Sequence, residues 1–465
     1  MLRIIAIFVR NFSNMSVVGL DNEYERCVEM LCSIAPSFQK VGTAGYHPGL
    51  ETMSDFSDFL GNPHKGGVFV HIAGTNGKGS VAHMLASALA FSRPGSVIGL
   101  YTSPHLLDFR ERIRTVSSEP DSGGRYCREI GKDEVVDFVC RYRQFIEDRR
   151  PSFFEITTAM AFDYFRRHGV DAAVIETGLG GRLDSTNIIM PELSIITSIG
   201  LDHKDILGDT ISSIAYEKCG IIKPGVPVVA GYLPDEAMRV VESVAGKRGC
   251  RLYRSSDAYG GSPVVAAAAK EADLGSDCQS MNIATVFTAL RVLRASEVSL
   301  HDEVFRAVTH AAHISGLRGR WERLSVSPEV ICDIGHNVEA LSVSMKQLVK
   351  EAGDRHIIMV YGMAGDKDVA SVVELLPSGA SYVLTQAEGS RAMPAADLKT
   401  LLDRSMLRRG MRQEELDSVD VPDVGRAVDI ALERASDKDI VFIGGSSYVV
   451  AEAVAHFLHS SARSQ

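Results

Sequence analysis

The chain has 465 residues, 45% of them hydrophobic and 23% charged, with a formal net charge of -10. That balance belongs to a globular protein long enough for two domains, and it excludes a low-complexity chain. The acidic balance argues against a general nucleic-acid binder but leaves room for a local basic pocket holding a small anion.

The chain opens with MLRIIAIFVRNF, whose apolar run from Ile4 to Val9 covers about six residues. A secretory core needs roughly 7–15, and no segment approaches the ~20 apolar residues that span a bilayer. Residues 1–20 therefore read as an N-terminal extension, with Met15 as an alternative start. Residues 22–60 carry helical spacing, as in Tyr24, Cys27, Val28, Leu31 and Cys32.

GGVFVHIAG then reads as a buried strand, and SVAHMLASALAFS as a helix. The alternation continues with SVIGLYTS as a strand and DEVVDFVCRYRQFIEDR and FEITTAMAFDYFRRHG as helices. DAAVIETG and PELSIITSIG follow as strands, SSIAYEKCGII as a helix and VPVVAGY as a strand. Such alternation predicts a mostly parallel sheet with helices on both faces. Ligands then bind at the loops leaving the carboxyl ends of the strands.

SSEPDSGGRYCREIGK, between Ser117 and Lys132, reads as a surface loop, and 256–280 is an Ala- and Gly-rich stretch with a weak signal. From about 316 a second α/β unit begins with GRWERLSVSPEVICDIGHN. It continues through the strands RHIIMVYGMAG and SYVLTQAEG to DIVFIGGSSYVVAEAVAHFL. The expected division is a first domain over 21–312 and a smaller Rossmann-like domain over 318–465.

The eight cysteines, Cys27, Cys32, Cys127, Cys140, Cys219, Cys250, Cys278 and Cys332, are scattered and form no C-x-x-C pair. That spacing predicts neither a disulfide framework nor a zinc site, and it fits a reducing cytoplasm.

The chemistry concentrates in HIAGTNGKGS, between a strand and a helix. The common phosphate-loop spacing G-x-x-x-x-G-K-[ST] fails here, because position 72 is Ile and Gly79 separates Lys78 from Ser80. The physics of such a loop is nonetheless present. Glycines let a phosphate approach the backbone, Lys78 supplies a compact charge, Ser80 offers a hydroxyl to Mg²⁺, and the following helix aims its dipole at the anion.

Glu176 ends the apolar strand DAAVIE, well placed to hold Mg²⁺ directly or through water. His203, in LDH after another strand, is on spacing alone as readily structural as a ligand, and Lys218 reads equally as a solvated helix lysine. Arg110, Arg112 and Arg114 suit carboxylates, or else form a solvated cluster.

GTNGKGS resembles the phosphate loop of the folylpolyglutamate synthase/dihydrofolate synthase branch of the Mur ligase superfamily. TSPHLLDFRERIR, FFEITTAMAFDYF, IETGLGGRLDSTN, ITSIGLDHKDILGDT, IAYEKCGIIKPGVP, QSMN, GRWE, DIGHN and GDKD resemble its other landmarks in order, over about 22–450. The run D-x-x-H-N at 333–337 departs from the branch's frequent form, with Ile334, Gly335 and Val338 in place of Gly, Ala and Pro.

The resemblance implies a phosphate-loop, mostly parallel central domain followed by a Rossmann-like one. It also implies ATP-dependent addition of L-glutamate to dihydropteroate or a reduced folate through an acyl phosphate. ATP would be held by Gly74, Thr75, Asn76, Gly77, Lys78, Gly79, Ser80, Asn282, Arg320 and Asp333. Two Mg²⁺ ions would be held by Ser80, Glu176, His203 and a carbamylated Lys218, with K⁺ as a further cation. Thr102, Ser103, Pro104, His105 and Arg112 would line the folate site, and Lys78, Lys218, His203 and Glu176 would serve catalysis. A monomer with no nucleic-acid or membrane partner is expected. The alternatives are a ligase of UDP-muramyl peptides, or a nucleotide-binding regulator without ligase activity.

Overall fold

The computed structural model describes residues 17–34, 49–293 and 302–463. The expected N-terminal extension lies outside them up to residue 16, as does the 35–48 part of the early helical spacing. The first described helix, α1 (Val17–Ile34), starts inside the stretch read as an extension.

An eight-stranded sheet forms the first unit. Its strands are β1 (Phe69–Ala73), β2 (Val97–Tyr101), β3 (Ile113–Ser117), β4 (Cys127–Glu129), β5 (Ala172–Glu176), β6 (Leu193–Ile196), β7 (Val228–Ala230) and β8 (Leu252–Arg254). Their order is β4-β3-β2-β5-β1-β6-β7-β8. Every pairing is parallel except β2 with β3 and β3 with β4. The polar 117–132 segment is therefore not a plain loop. Its far end returns as β4 and turns the sheet edge antiparallel.

All five residues of β1 are buried, because helices cover both faces of the sheet. Val70 and Ile72 join a core with α3 (Lys78–Ser92), which follows α2 (Glu51–Phe59) in the chain. Phe69, on the opposite side, packs with α4 (Lys132–Arg149) and α5 (Phe153–Arg167). A capping box starts α5: Glu155 N–H donates to the Ser152 hydroxyl and Ser152 N–H to the Glu155 carboxylate. The helix carrying Lys218 is α6 (Ile211–Lys218), followed by α7 (Asp235–Lys247).

The weak 256–280 stretch forms two short helices, Ser255–Tyr259 and Pro263–Glu271, leading into α8 (Gln279–Val292). A six-stranded sheet follows, made of β9 (Glu322–Val326), β10 (Glu329–Asp333), β11 (Ile357–Tyr361), β12 (Ser381–Leu384), β13 (Ser418–Asp420) and β14 (Ile440–Gly444). Its order is β13-β12-β11-β14-β10-β9, with β9 alone antiparallel to its neighbour. The longer helices around it are α9 (Val338–Ala352), α10 (Ala395–Arg408), α11 (Val424–Arg434) and α12 (Ser447–Arg463).

One topological feature positions the site. β1 lies between β5 and β6, neither of which is its neighbour in sequence. The loops after β1, β5 and β6 therefore open onto one crevice at the carboxyl edge, the switch-point geometry of open α/β sheets. Among the described residues, no helix is long and apolar enough to cross a membrane.

Candidate active site

The glycine-rich loop is built by close backbone packing. A Cβ on Gly74 would lie 1.9 Å from Thr197 Oγ1, so no larger residue fits. Thr75 N–H donates to Ser198 O at 2.8 Å, Asn76 N–H donates to Ser198 Oγ at 2.8 Å, and the Thr197 hydroxyl donates to Asn76 O at 2.7 Å. Gly77 takes φ +82° and caps α3, and a Cβ there would come within 2.4 Å of Asn282 Oδ1. The opening N–H groups of α3 have no intrahelical acceptors, which suits them to phosphate oxygens. Lys78 Nζ folds back over the loop and donates to Gly74 O at 3.1 Å and Thr75 O at 3.3 Å.

Glu176 ends β5 and is 3% exposed, with Oε2 accepting Ser103 N–H at 3.0 Å. Burial raises its carboxyl, with the Lys78 ammonium pulling the other way. A Cβ on Gly79 would lie 3.7 Å from Arg320 Nη2 and 3.8 Å from Glu176 Oε2. Arg320, from the chain leading into the second sheet, and Glu176 thus both approach the first turn of α3. Asp333, at the end of β10, accepts Trp321 N–H at 3.0 Å, Gly335 N–H at 2.9 Å and the Ser344 hydroxyl at 3.4 Å. This acid therefore organises its own loop.

Lys218 is 4% exposed, and its Nζ donates to Gly74 O at 2.9 Å. Burial lowers its ammonium to about 7, and the Lys78 charge adds to the effect. The glycines of G-L-G-G-R let the 178–187 loop pack on this helix end: a Cβ on Gly181 would meet Lys218 O at 2.7 Å. Asp184 holds that loop, accepting the N–H groups of Gly178 at 2.8 Å and Leu179 at 2.9 Å. His203 takes a left-handed φ of 51°, a conformation uncommon outside glycine. Burial depresses its imidazolium to about 3, leaving the neutral ring that a metal ligand requires.

Asp202 joins the two sheets. Lys367 Nζ donates to its Oδ1 at 2.8 Å, Asn337 Nδ2 donates to its Oδ2 at 3.4 Å, and His336 Nε2 lies 3.9 Å away. Burial alone would raise this carboxyl, but His203, Lys367 and His336 hold it well below the usual carboxylate range. Asn337 also donates to Asn76 Oδ1 at 2.9 Å and caps α9 by accepting Ala340 N–H at 2.9 Å. One side chain thus ties the second sheet's first helix to the phosphate loop.

A cavity of about 260 Å³ lies between the two units. Gly74, Thr75, Lys78, Ser103, Pro104, Arg112, His203 and Lys218 reach it from among the expected residues. A smaller cavity is bordered by Gly79, Thr102, His105, Glu176 and Arg320. Asn76, Gly77, Ser80, Asn282 and Asp333 line neither, and of these Asn282 packs against the loop at Gly77 from outside it. The arginine cluster is largely paired within the protein, and Glu129 lies near both Arg110, at 3.7 Å, and Arg114. Arg110 pairs with Asp108 at 2.9 Å, and Arg114 pairs with Glu129 at 3.6 Å. Arg112 alone of the three reaches the larger cavity, 3% exposed, donating to His105 Nδ1 at 2.8 Å over the Phe153 ring.

Lys367, Arg391 and Tyr448 reach the same cavity from the second unit. The sequence reading named none of them as site residues. Lys367 and Arg391 lie on loops after β11 and β12, and Tyr448 in the first turn of α12 just after β14, so the carboxyl-edge rule used for the first sheet would have found them.

The buried Glu176 carboxylate and the Ser80 hydroxyl, both hard oxygen donors, fit Mg²⁺. His203 beside an unmodified Lys218 does not, because an ammonium repels the ion. Among the described residues, the one group of three or more His, Cys, Asp or Glu donors close enough to share an ion lies elsewhere, at Glu23, Cys27 and Cys140.

Residues 319–447 match the family model for the Mur ligase glutamate ligase domain. Over 436 residues the chain is 32% identical to folylpolyglutamate synthase of Lacticaseibacillus casei, covering 88% of this chain and 97% of that protein. The chain belongs to the folylpolyglutamate synthase/dihydrofolate synthase family. That makes it an ATP-dependent glutamate ligase with a Mur-ligase fold. It is also 34% identical to a probable bifunctional folylpolyglutamate synthase/dihydropteroate synthase of Haloferax volcanii. That match covers 87% of the ligase but 48% of the relative, so the chain spans about half of that longer protein.

Among solved structures, Escherichia coli FolC in complex with DHPP and ADP superposes with a TM-score of 0.74 at 26% identity, covering 95% of this chain and 98% of that one. A bifunctional folylpolyglutamate synthase/dihydrofolate synthase with Mn, AMPPNP and L-glutamate bound gives 0.72 at 30% identity, covering 89% and 95%.

Proposed function

We propose that this ligase uses ATP to activate a folate-type carboxylate as an acyl phosphate and joins it to the amine of L-glutamate. The observation that carries the reading is convergence. The phosphate loop with Lys78, the half-buried His203, the buried Lys218, and the second unit's Lys367 and Arg391 all border one cavity.

The loop Gly74–Ser80, with Asn282 behind it, holds the triphosphate. Lys78 leaves its two loop carbonyls to offset charge on the outer phosphates, and Arg320 adds a second charge from across the domain boundary, which we set at 312–318. Ser80 and Glu176 hold one Mg²⁺, and His203 with Lys218 holds a second. Bound there, the metal supplies charge neutralisation for phosphoryl transfer. Lys218 serves as ligand only after its neutral amine adds CO₂ and loses a proton, giving an anionic carbamate oxygen. Its burial and lowered ammonium pKa favour the reactive amine.

Thr102, Ser103, Pro104, His105 and Arg112 hold the folate substrate, with the Arg112 charge and the Phe153 ring as its firmest elements. Lys367 and Arg391 face the carboxylates of incoming glutamate. The substrate carboxylate takes the γ-phosphoryl group and releases ADP. The glutamate amine then attacks the acyl carbon, and the tetrahedral intermediate expels phosphate. No side-chain nucleophile is needed.

Phosphate release with ATP, Mg²⁺ and glutamate tests this, with dihydropteroate, tetrahydrofolate or no pterin in parallel. Release that depends on either pterin supports the reading and assigns the activity; release indifferent to both contradicts it.

A further inference from the structure

Outside the cavity, the described residues bring together one set of donors that the ligase chemistry does not use. Glu23 and Cys27 stand four residues apart on α1, hence on one face of that helix. Cys140 faces them from α4. One carboxylate oxygen and the two sulfurs all lie within 4.8 Å of one another. Cys27 is 6% exposed, while Glu23 and Cys140 are half-buried, leaving one open side.

We propose that Glu23, Cys27 and Cys140 form a thiolate site for a divalent soft cation, Zn²⁺, with water as fourth ligand, which staples α1 to α4. On a tetrahedron with Zn–S about 2.3 Å, two sulfurs stand roughly 3.8 Å apart, within the 4.8 Å that encloses these three donors. Two thiolates and one carboxylate carry three negative charges against the two of the metal. The one excess negative charge lies next to the solvent-exposed face of α4, where Arg143, already paired with Glu147 at 2.7 Å, stands one turn beyond Cys140. Binding releases the two thiol protons and needs no oxidant.

The competing contact is weak: Glu23 reaches Arg26 at 3.8 Å across an exposed helix surface. The C-x-x-C spacing that marks many zinc sites is absent, because here one helix supplies two ligands and a packed neighbour the third.

The staple bears on the folate loop. Tyr24, next to Glu23, donates its hydroxyl to Asp108 at 2.8 Å, and Asp108 caps the 109–112 turn that ends in Arg112. Zinc that fixes α1 on α4 therefore also fixes the base of the loop holding Arg112.

The test uses the full chain, reduced, chelator-stripped and handled without oxygen. Titration with Co²⁺ should give a thiolate charge-transfer band and tetrahedral d–d bands, one equivalent per chain, displaced by Zn²⁺. An oxygen site of the magnesium type gives no charge-transfer band, which separates the two. Cys27→Ser and Cys140→Ser should each abolish the band. Glu23→Gln should keep it and weaken zinc at least about tenfold, the lower bound for losing even an outer partner. Zinc should also slow amide exchange across 17–34, a readout independent of both cysteine variants. Fully reduced protein that shows no charge-transfer band overturns the proposal, as does a band that survives both cysteine variants. So does a Cys27–Cys140 disulfide in aerobic protein whose thiols bind no zinc after reduction.

Discussion

The Lys367–Asp202 pair is where the second unit grips the first, and breaking it should cost turnover. The two atoms stand 2.8 Å apart, with side chains 14% and 12% exposed. At an effective dielectric of 20 that separation gives about 6 kcal/mol of gross attraction. Desolvation of two mostly buried groups offsets more than half of it. A net coupling of about 2–3 kcal/mol remains, or roughly 30- to 150-fold. Lys367→Met, Asp202→Asn and the double variant should form a non-additive cycle in kcat/KM for glutamate, the double losing no more than the worse single. Single losses that simply multiply would refute the latch. The pH dependence has a definite sign. Asp202 is held below the usual Asp value, so its contribution is full above about pH 4. It is lost as pH falls through the lower folded value, and the latch should not vary across the neutral range.

Gly74→Ala sets a Cβ against Thr197 Oγ1, and should abolish ATP binding measured by calorimetry while the sheet's circular dichroism persists. Omitting bicarbonate and CO₂ should lower activity, and ¹³C-bicarbonate should yield a carbamate NMR signal that Lys218→Arg removes. Arg112→Lys should raise KM for the folate substrate about tenfold or more with little change for ATP, because a lysine cannot reproduce the guanidinium over Phe153. Asp184→Asn should destabilise the 178–187 loop by about 1–3 kcal/mol in denaturant unfolding, since buried N–H groups lose a charged acceptor.

The elements legible in the sequence were the apolar runs buried on both faces and the helices with an apolar stripe at helical spacing, such as α4. β1, β5 and β6 are continuous apolar runs, and α3 is rich in alanine and leucine. What escaped was set by tertiary pairing. β4 is three residues, Cys-Arg-Glu, and exists because β3 offers an edge. The two short helices before α8 gain their stability from packing on it rather than from their own periodicity. In the site, the glycine loop and Glu176 were readable because strand ends and glycines carry local signals. The arginines of 110–114 were not separable, since nothing in R-E-R-I-R tells which one turns inward. Arg391, in a loop, and Tyr448, at the start of α12, come close to Lys78 only through the way the second sheet packs against the first.

The claim on which all of this rests is passage of the γ-phosphoryl group to a carboxylate. A substrate labelled with ¹⁸O in the reacting carboxylate tests it directly, with phosphate analysed by mass spectrometry after one turnover. One labelled oxygen per released phosphate is the predicted result. Phosphate free of label, formed alongside the glutamylated product, would contradict the account.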